Sequence, residues 1–154
     1  MIISWKKLLI NLVIPLAVGG LSALSTMGSM ESFEQLNKPP LSPPGWLFPI
    51  VWTILFILMG ISAYLVSVSG KPTDVAFKYY GLQLVFNFLW SIIFFNFENY
   101  LLAFVWLIAL LVLIVITAVR FYSIDKRAGY LFIPYILWVV FAGYLNLGIY
   151  ILNR

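Results

Sequence analysis

Five apolar segments, each about twenty residues long, constrain this chain more than any other feature of its sequence. They cover approximately residues 8–26, 46–68, 77–97, 101–121 and 130–152. A helix of about 20 residues spans the hydrocarbon core of a bilayer. Because only 9% of the residues are charged, the chain has too few charges to cover a globular surface in water. The segments therefore predict an all-α membrane protein, a five-transmembrane-helix bundle forming a single domain over residues 1–154.

The loops between the segments predict how the helices are oriented. Short connections at 69–76, 98–100 and 123–129 force neighbouring helices to run antiparallel. Seven Lys and Arg residues then fall on the side of the N-terminus, and Lys38 and Arg154 fall on the other side. Since positive residues concentrate in cytoplasmic loops, the N-terminus is expected in the cytoplasm and the C-terminus outside. Positive charge distributed in this way follows membrane topology and does not indicate nucleic-acid binding.

The connection 27–45 is long for so small a protein. Four of the eight prolines lie between Pro39 and Pro44. Proline fixes φ and lowers the entropy lost when a loop is ordered, and long loops in compact domains are commonly lids or binding loops. We therefore favour a cover over a cavity in the bundle, with a plain connector as the alternative.

The chain contains neither cysteine nor histidine. A disulfide, a zinc site, a thiol nucleophile and a histidine-based triad are thereby excluded, and we expect no metal site and no intrinsic cofactor. Charged residues are also absent from the centres of the apolar segments, where a proton-coupled transporter normally carries one. This pattern disfavours hydrolysis and active transport, although passive movement of an apolar ligand stays compatible with it.

Polar and aromatic residues recur at helical spacing in three of the segments. They are Trp46, Trp52 and Phe56 in the second, Gln83, Asn87 and Trp90 in the third, and Tyr135, Trp138, Ala142, Leu145 and Asn146 in the fifth. An amide in hydrocarbon needs a partner, so these faces are expected to point into the bundle or into a cavity. Hydrogen bonding between helices is the alternative explanation. Pro49 and Pro134 are expected to bend the second and fifth helices. Aromatic walls with a few neutral polar groups suit a flat, largely apolar ligand, such as a tetrapyrrole or a steroid.

Three motifs in these segments together resemble the TspO/MBR family of tryptophan-rich sensory and translocator proteins, and the resemblance extends along the whole chain. The motifs are Leu36-x-Lys38-Pro39-x3-Pro43-Pro44-x-Trp46-x-Phe48-x2-Val51-Trp52, Gln83-Leu84-x2-Asn87-x2-Trp90-Ser91-x2-Phe94-Phe95, and Pro134-Tyr135-x2-Trp138-x2-Phe141-Ala142-x2-Leu145-Asn146. The chain departs from the family at Ser32, where relatives often carry a tryptophan. Leu147, Tyr150 and Arg154 also satisfy a cholesterol-contact consensus, which is a weak pattern.

The resemblance implies a homodimeric bundle in the cytoplasmic membrane of a bacterium. It implies a pocket beneath the first loop that binds protoporphyrin IX and benzodiazepine-receptor-type drugs. The positions that match the pocket are Trp46, Phe48, Trp52, Phe56, Gln83, Asn87, Trp90, Tyr135, Trp138, Ala142, Leu145 and Asn146. It further implies a sensory role, with light- and oxygen-dependent porphyrin degradation assigned by position to Trp52 and Trp138. A passive transporter of porphyrins or sterols is the alternative function.

Overall fold

The protein is a bundle of helices, described by a computed structural model that covers residues 2–154. The helices are α1 (Trp5–Thr26), α2 (Met30–Glu34), α3 (Leu47–Ser67), α4 (Asp74–Ser91), α5 (Tyr100–Ile124), α6 (Lys126–Tyr130) and α7 (Ile133–Leu152). A 3-10 turn, Met27–Ser29, joins α1 to α2, and a π-helical turn, Ile92–Asn96, continues α4. The five long helices coincide with the five apolar segments within a few residues. The prediction of an all-α bundle is therefore confirmed.

The outside of the bundle is apolar. On α1, for example, Leu9, Val13, Leu21 and Leu24 are each more than half exposed. Soluble proteins rarely expose contiguous apolar surfaces of this kind, and four stretches are long and apolar enough to cross a membrane: Trp5–Glu34, Leu47–Ser67, Tyr100–Ile124 and Lys126–Leu152. The helix α4 does not qualify, because its charged first turns and its amides lower its mean hydropathy.

The five long helices form a ring in the order α3, α1, α4, α5 and α7. The contact that would close the ring, between α3 and α7, is the weakest. The helix α1 packs against α3 and α4, and α5 packs against α4 and α7. By contrast, the α3 backbone approaches α7 at isolated points at most, and the same holds for α4 and α7. On the side of the N-terminus, α3 is tied to α6 by Ser62 Oγ, which donates to the Ala128 carbonyl at 2.7 Å. Towards the opposite end, the space between α3, α4 and α7 is left for side chains.

The bundle has two chemically different ends. The loop 27–45, the α4–α5 turn and the C-terminus share one end, which we call the lid end. The N-terminus, the α3–α4 loop and α6 share the other end, which we call the basic end. Seven of the nine Lys and Arg residues lie at the basic end: Lys6, Lys7, Lys71, Lys78, Arg120, Lys126 and Arg127.

The prolines act differently from the sequence prediction. Pro49 and Pro134 lie in the first turns of α3 and α7, where a missing N–H costs nothing, so the predicted bends at these positions are wrong. Pro15 lies inside α1 and deprives the Asn11 carbonyl of its usual helical donor. That carbonyl faces Gly60 of α3, where an added Cβ would stand 2.8 Å from Asn11 O. The α1 and α3 backbones therefore touch at Gly60.

The predicted loop 123–129 is largely helical. Asp125 caps α6 by accepting from the Arg127 backbone N–H at 2.9 Å, and its other oxygen accepts from the Arg127 guanidinium at 2.8 Å. The guanidinium holds the pKa of the Asp125 carboxyl below its usual range. Lys71 Nζ donates to the Ile124 carbonyl at 2.8 Å and so caps the C-terminal end of α5 from the α3–α4 loop. This end of the bundle is thus fixed by local caps.

Candidate ligand site beneath the proline-rich loop

Aromatic side chains fill the space between α3, α4 and α7. The Trp52 ring centroid lies 6.2 Å from that of Tyr135 and 6.4 Å from that of Trp90. Across the boundary between α3 and α7, Phe48 lies 5.9 Å from Trp138. We call the group the aromatic cluster; its members are Phe48, Trp52, Phe56, Trp90, Tyr135 and Trp138.

One hydroxyl serves two amides beside this cluster. Tyr135 Oη donates to Gln83 Oε1 and accepts from Asn87 Nδ2, both at 2.7 Å. Gln83 Nε2 in turn lies 3.7 Å from Met59 Sδ of α3. All three polar side chains are at most 4% exposed. Hydrogen bonding between helices, the alternative considered from the sequence, therefore accounts for these two amides in this structure.

A second polar chain links α4, α7 and α5. Trp90 Nε1 donates to Asn146 Oδ1 at 3.1 Å, and Asn146 Nδ2 donates to the Tyr100 carbonyl at 2.8 Å. Asn146 is 1% exposed, so both ends of its amide are satisfied inside the protein. The role of Tyr100 could not be read from the sequence, because no residue pattern marks a backbone carbonyl as a partner.

Trp138 differs from Trp90 and Tyr135, whose polar atoms are hydrogen-bonded. Its Nε1 is buried and has no hydrogen-bond partner within residues 2–154. An indole N–H can only donate, and a buried unpaired donor costs about 1–3 kcal/mol. An acceptor atom on a ligand would therefore be stabilised at this point of the cluster.

The proline-rich loop is fastened to α7. Asn153 accepts from the Asn37 N–H at 3.0 Å and donates to the Asn37 carbonyl at 2.7 Å. Tyr144 Oη donates to the Pro40 carbonyl at 2.7 Å. Pro39 packs on Gly148, where an added Cβ would stand 2.6 Å from the proline ring. A side chain at position 148 would therefore hold the loop away from the helix.

The loop also rests on the end of α4. The Phe33 ring lies 6.0 Å from Phe94 and 5.2 Å from Phe95. The π-helical turn brings these two consecutive residues against one ring, in keeping with the functional positions at which such turns are often found. Phe33 also lies 6.2 Å from Phe48, so the loop covers the aromatic cluster. Ser32, which departs from the family pattern, is exposed beside it.

The other candidate residues divide into two groups. Ala142 and Leu145 are buried on the inward side of α7, at 8% and 6% exposure. Trp46 is 68% exposed at the start of α3 and lies outside the cluster. Cavities of about 620 and 250 Å³ lie on the side of the bundle formed by α5 and α7, and no member of the aromatic cluster lines either of them.

The fold and the site together define an integral membrane helical bundle whose uncharged, aromatic centre is covered by an ordered loop. Residues 11–152 match the sequence model of the TspO/MBR family, and the chain belongs to that family. It is 38% identical to the tryptophan-rich protein TspO of Archaeoglobus fulgidus, over 96% of this chain and 97% of the relative. It is 37% identical to protein CrtK of Rhodobacter capsulatus, over 79% and 78% of the two chains. It is 31% identical to the translocator protein of Bos taurus, over 87% and 82%.

Replacing Asn153 with alanine is expected to release the loop from α7. Both hydrogen bonds between Asn153 and Asn37 would be lost, and each such bond contributes about 0.5–1.5 kcal/mol. Hydrogen exchange measured by mass spectrometry should become roughly tenfold faster in peptides covering residues 35–41 and stay unchanged in α5. Asn99→Ala, which removes the cap of α5 at the same end, is the control. Equal exchange of the loop in both variants would show that Asn153 does not hold it.

Proposed function

We propose that this protein binds a tetrapyrrole, with protoporphyrin IX as the representative ligand, between the aromatic cluster and the loop. The observation that carries the proposal is the buried, unpaired Nε1 of Trp138 in an otherwise aromatic site. A porphyrin offers a flat π-face to the indole rings of Trp52 and Trp138 and acceptor atoms to that N–H. The related protein of Cereibacter sphaeroides is called a tryptophan-rich sensory protein, which supports a sensory role. Benzodiazepine-receptor-type drugs are expected to compete for the same site.

Binding requires rearrangement, because the cluster fills its own space. The rearrangement is local, since the loop is held by a few hydrogen bonds at exposed positions and by the edge-to-face contact of Phe33 with Phe95. Lifting the loop would free Phe48 and Trp138, while the deeper network of Tyr135, Gln83 and Asn87 would stay intact. The ligand then enters at the lid end, above that network.

Light-dependent porphyrin degradation is the second function we propose for this site. Trp52 and Trp138 lie in the same cluster, and indoles are oxidisable. A photoexcited porphyrin would take one electron from either ring, pass it to molecular oxygen to give superoxide and return to its ground state. The indole radical cation left behind would then regain its electron from the porphyrin, so that the porphyrin ring is oxidised and oxygen is reduced. The other aromatic rings of the cluster would bind and orient the ligand in this scheme and exchange no electrons.

Three features of the membrane arrangement belong to the same proposal. First, α4 also crosses the membrane, which brings the number of transmembrane helices to five. It packs between α1 and α5 and hides its amides inside the bundle. Second, the basic end faces the cytoplasm of a bacterial cell, following the distribution of Lys and Arg. Third, the protein is a homodimer. Gly19 packs on Phe56 within the chain, whereas Gly20 has open space around it and Ala23 is exposed, so these two leave a close-approach surface on α1.

Protoporphyrin IX titrations of Trp138→Phe and Trp52→Phe test both functions. In darkness, Trp138→Phe should bind about three- to tenfold more weakly, the usual effect of losing one neutral hydrogen bond. Trp5→Phe, at an exposed tryptophan of the basic end, should bind like the parent protein. In light, loss of porphyrin absorbance should slow in both cluster variants. If they bleach the ligand at the parental rate, degradation by these residues is refuted. Absence of saturable binding to the parent protein would refute the tetrapyrrole proposal itself.

A further inference from the structure

A groove runs down the outside of the bundle between α5 and α7. Its upper part, at the lid end, is a cavity of about 620 Å³ whose lining includes Glu98, Tyr100, Tyr150 and Arg154. Its lower part is a cavity of about 250 Å³ lined by apolar side chains of the same two helices and by Gly143. The groove thus has a polar head and an apolar tail.

The two cavities continue each other along the helices. Leu101 lines the upper cavity, while Phe104, Ile108 and Leu111 line the lower one at the following positions of the same α5 face. At 1.5 Å per residue, the ten residues from Leu101 to Leu111 cover about 15 Å. That length is half of the roughly 30 Å hydrocarbon core. The groove is therefore long enough to extend through one leaflet of a membrane.

The head of the groove carries one charge of each sign. Glu98 and Arg154 both line the cavity, and neither is in an ion pair within residues 2–154. Glu98 also has a positive φ of 53°, a conformation that costs free energy for any residue except glycine and is commonest for Asn and Asp among the others. Glutamate is therefore not the residue that the backbone of this turn favours. Because a carboxylate and a guanidinium both line the head, the head is complementary to a molecule that bears both charges.

We propose that the groove binds one zwitterionic glycerophospholipid. The phosphate lies against Arg154 and the first turn of α5, whose N–H groups favour an anion. The ammonium group lies against Glu98, beside the aromatic rings of Tyr100 and Tyr150. One acyl chain occupies the apolar part. A sterol, the molecule suggested by the consensus at Leu147, Tyr150 and Arg154, has one hydroxyl and no charge, so it would leave Glu98 and Arg154 without partners.

This site is separate from the aromatic cluster, and the inference does not depend on the proposed tetrapyrrole. Leu36 and Asn153 both line the head of the groove, and Asn153 also holds the loop through Asn37. A bound lipid would therefore touch residues that keep the loop in place.

Native mass spectrometry of the full-length protein in detergent tests the proposal. The probes are dioleoyl phosphatidylethanolamine, dioleoyl phosphatidylglycerol and cholesterol, each added to delipidated protein. One phosphatidylethanolamine should be retained, and phosphatidylglycerol should bind about tenfold more weakly because it lacks the cation that pairs with Glu98. Glu98→Gln and Arg154→Gln should each lower the retained fraction by about the same factor. Glu31→Gln, at an exposed carboxylate of the same end, should not change it.

A third substitution tests the apolar part independently of charge. Gly143→Leu places a side chain in the lower cavity, where an added Cβ lies 3.8 Å from Leu107, and should reduce retention about tenfold. Gly81→Leu, at an open position of α4, should leave it unchanged. The proposal is overturned if phosphatidylglycerol or cholesterol is retained as well as phosphatidylethanolamine, or if Gly143→Leu has no effect. It is also overturned if soluble glycerophosphoethanolamine displaces the lipid, because the acyl chain would then contribute nothing.

Discussion

Replacing Tyr135 with phenylalanine is expected to lower the free energy of unfolding by about 1–3 kcal/mol, which is large for the loss of one oxygen atom. The hydroxyl is the shared partner of Gln83 and Asn87. Without it, a buried amide oxygen and a buried N–H would both be unpaired. Hydrogen bonds between membrane helices average only about 0.6 kcal/mol, because separated helices find other partners in the membrane. Tyr135 should exceed that average, since Gln83 is fully buried and Asn87 is 4% exposed, so neither has an alternative partner at hand.

Two further variants separate this effect from the loss of any tyrosine hydroxyl. Tyr144→Phe removes a hydroxyl that bonds the Pro40 carbonyl at an exposed position, and it should cost less than about 1 kcal/mol. In the Tyr135→Phe background, changing Gln83 and Asn87 to leucine removes the unpaired amides and should recover most of the loss. Thermal unfolding in mild detergent compares the variants. If Tyr135→Phe is no more destabilised than Tyr144→Phe, the shared hydroxyl does not stabilise the bundle.

The same residues show how much of the site can be predicted from the sequence. Spacings of four and three on α4 predicted that Gln83, Asn87 and Trp90 share a buried face, and they do. Spacing on one helix could not identify the partners, because Tyr135 lies 48 positions from Asn87 and Asn146 lies 56 positions from Trp90. Periodicity reports which side of a helix is hidden. Which side chain meets it depends on the order of the helices around the ring, which short loops only partly determine.

The contacts of the proline-rich loop could also be predicted only in part from the sequence. Its length and its prolines predicted an ordered cover, but its attachments depend on contacts between distant positions. Asn37 is hydrogen-bonded to Asn153, which is 116 residues away. The packing of Pro39 on α7 requires that position 148 carries no side chain, as in Gly148. The unpaired Nε1 of Trp138 could not be predicted from the sequence either, since whether a donor is paired depends on all the side chains that surround it. The prolines at 49 and 134 misled for a local reason: each is in a first turn, where proline is favoured.

Replacing Gly60 with alanine is expected to destabilise the bundle, against the ordinary preference of helices for alanine. An added Cβ would stand 2.8 Å from both Asn11 O and Leu12 Cα. Both atoms belong to the α1 backbone, so no change of rotamer relieves the clash, and α1 must move away from α3. Overpacking of this kind costs about 1–3 kcal/mol, against a gain of about 1 kcal/mol from helix propensity. Pro15 increases the destabilisation, because the Asn11 carbonyl lacks its helical donor and cannot be withdrawn into α1.

Alanine variants of two other helical glycines are the matched controls for this prediction. Gly20→Ala on α1 and Gly81→Ala on α4 meet nothing within 4 Å, so each should be neutral or stabilise by up to about 1 kcal/mol. Gly60→Leu should be worse than Gly60→Ala, because the larger side chain forces the helices further apart. Thermal unfolding in detergent gives the order of stability, and hydrogen exchange of α1 peptides shows whether this helix has loosened. Should Gly60→Ala match Gly20→Ala in both measurements, α1 and α3 do not depend on close contact at Gly60.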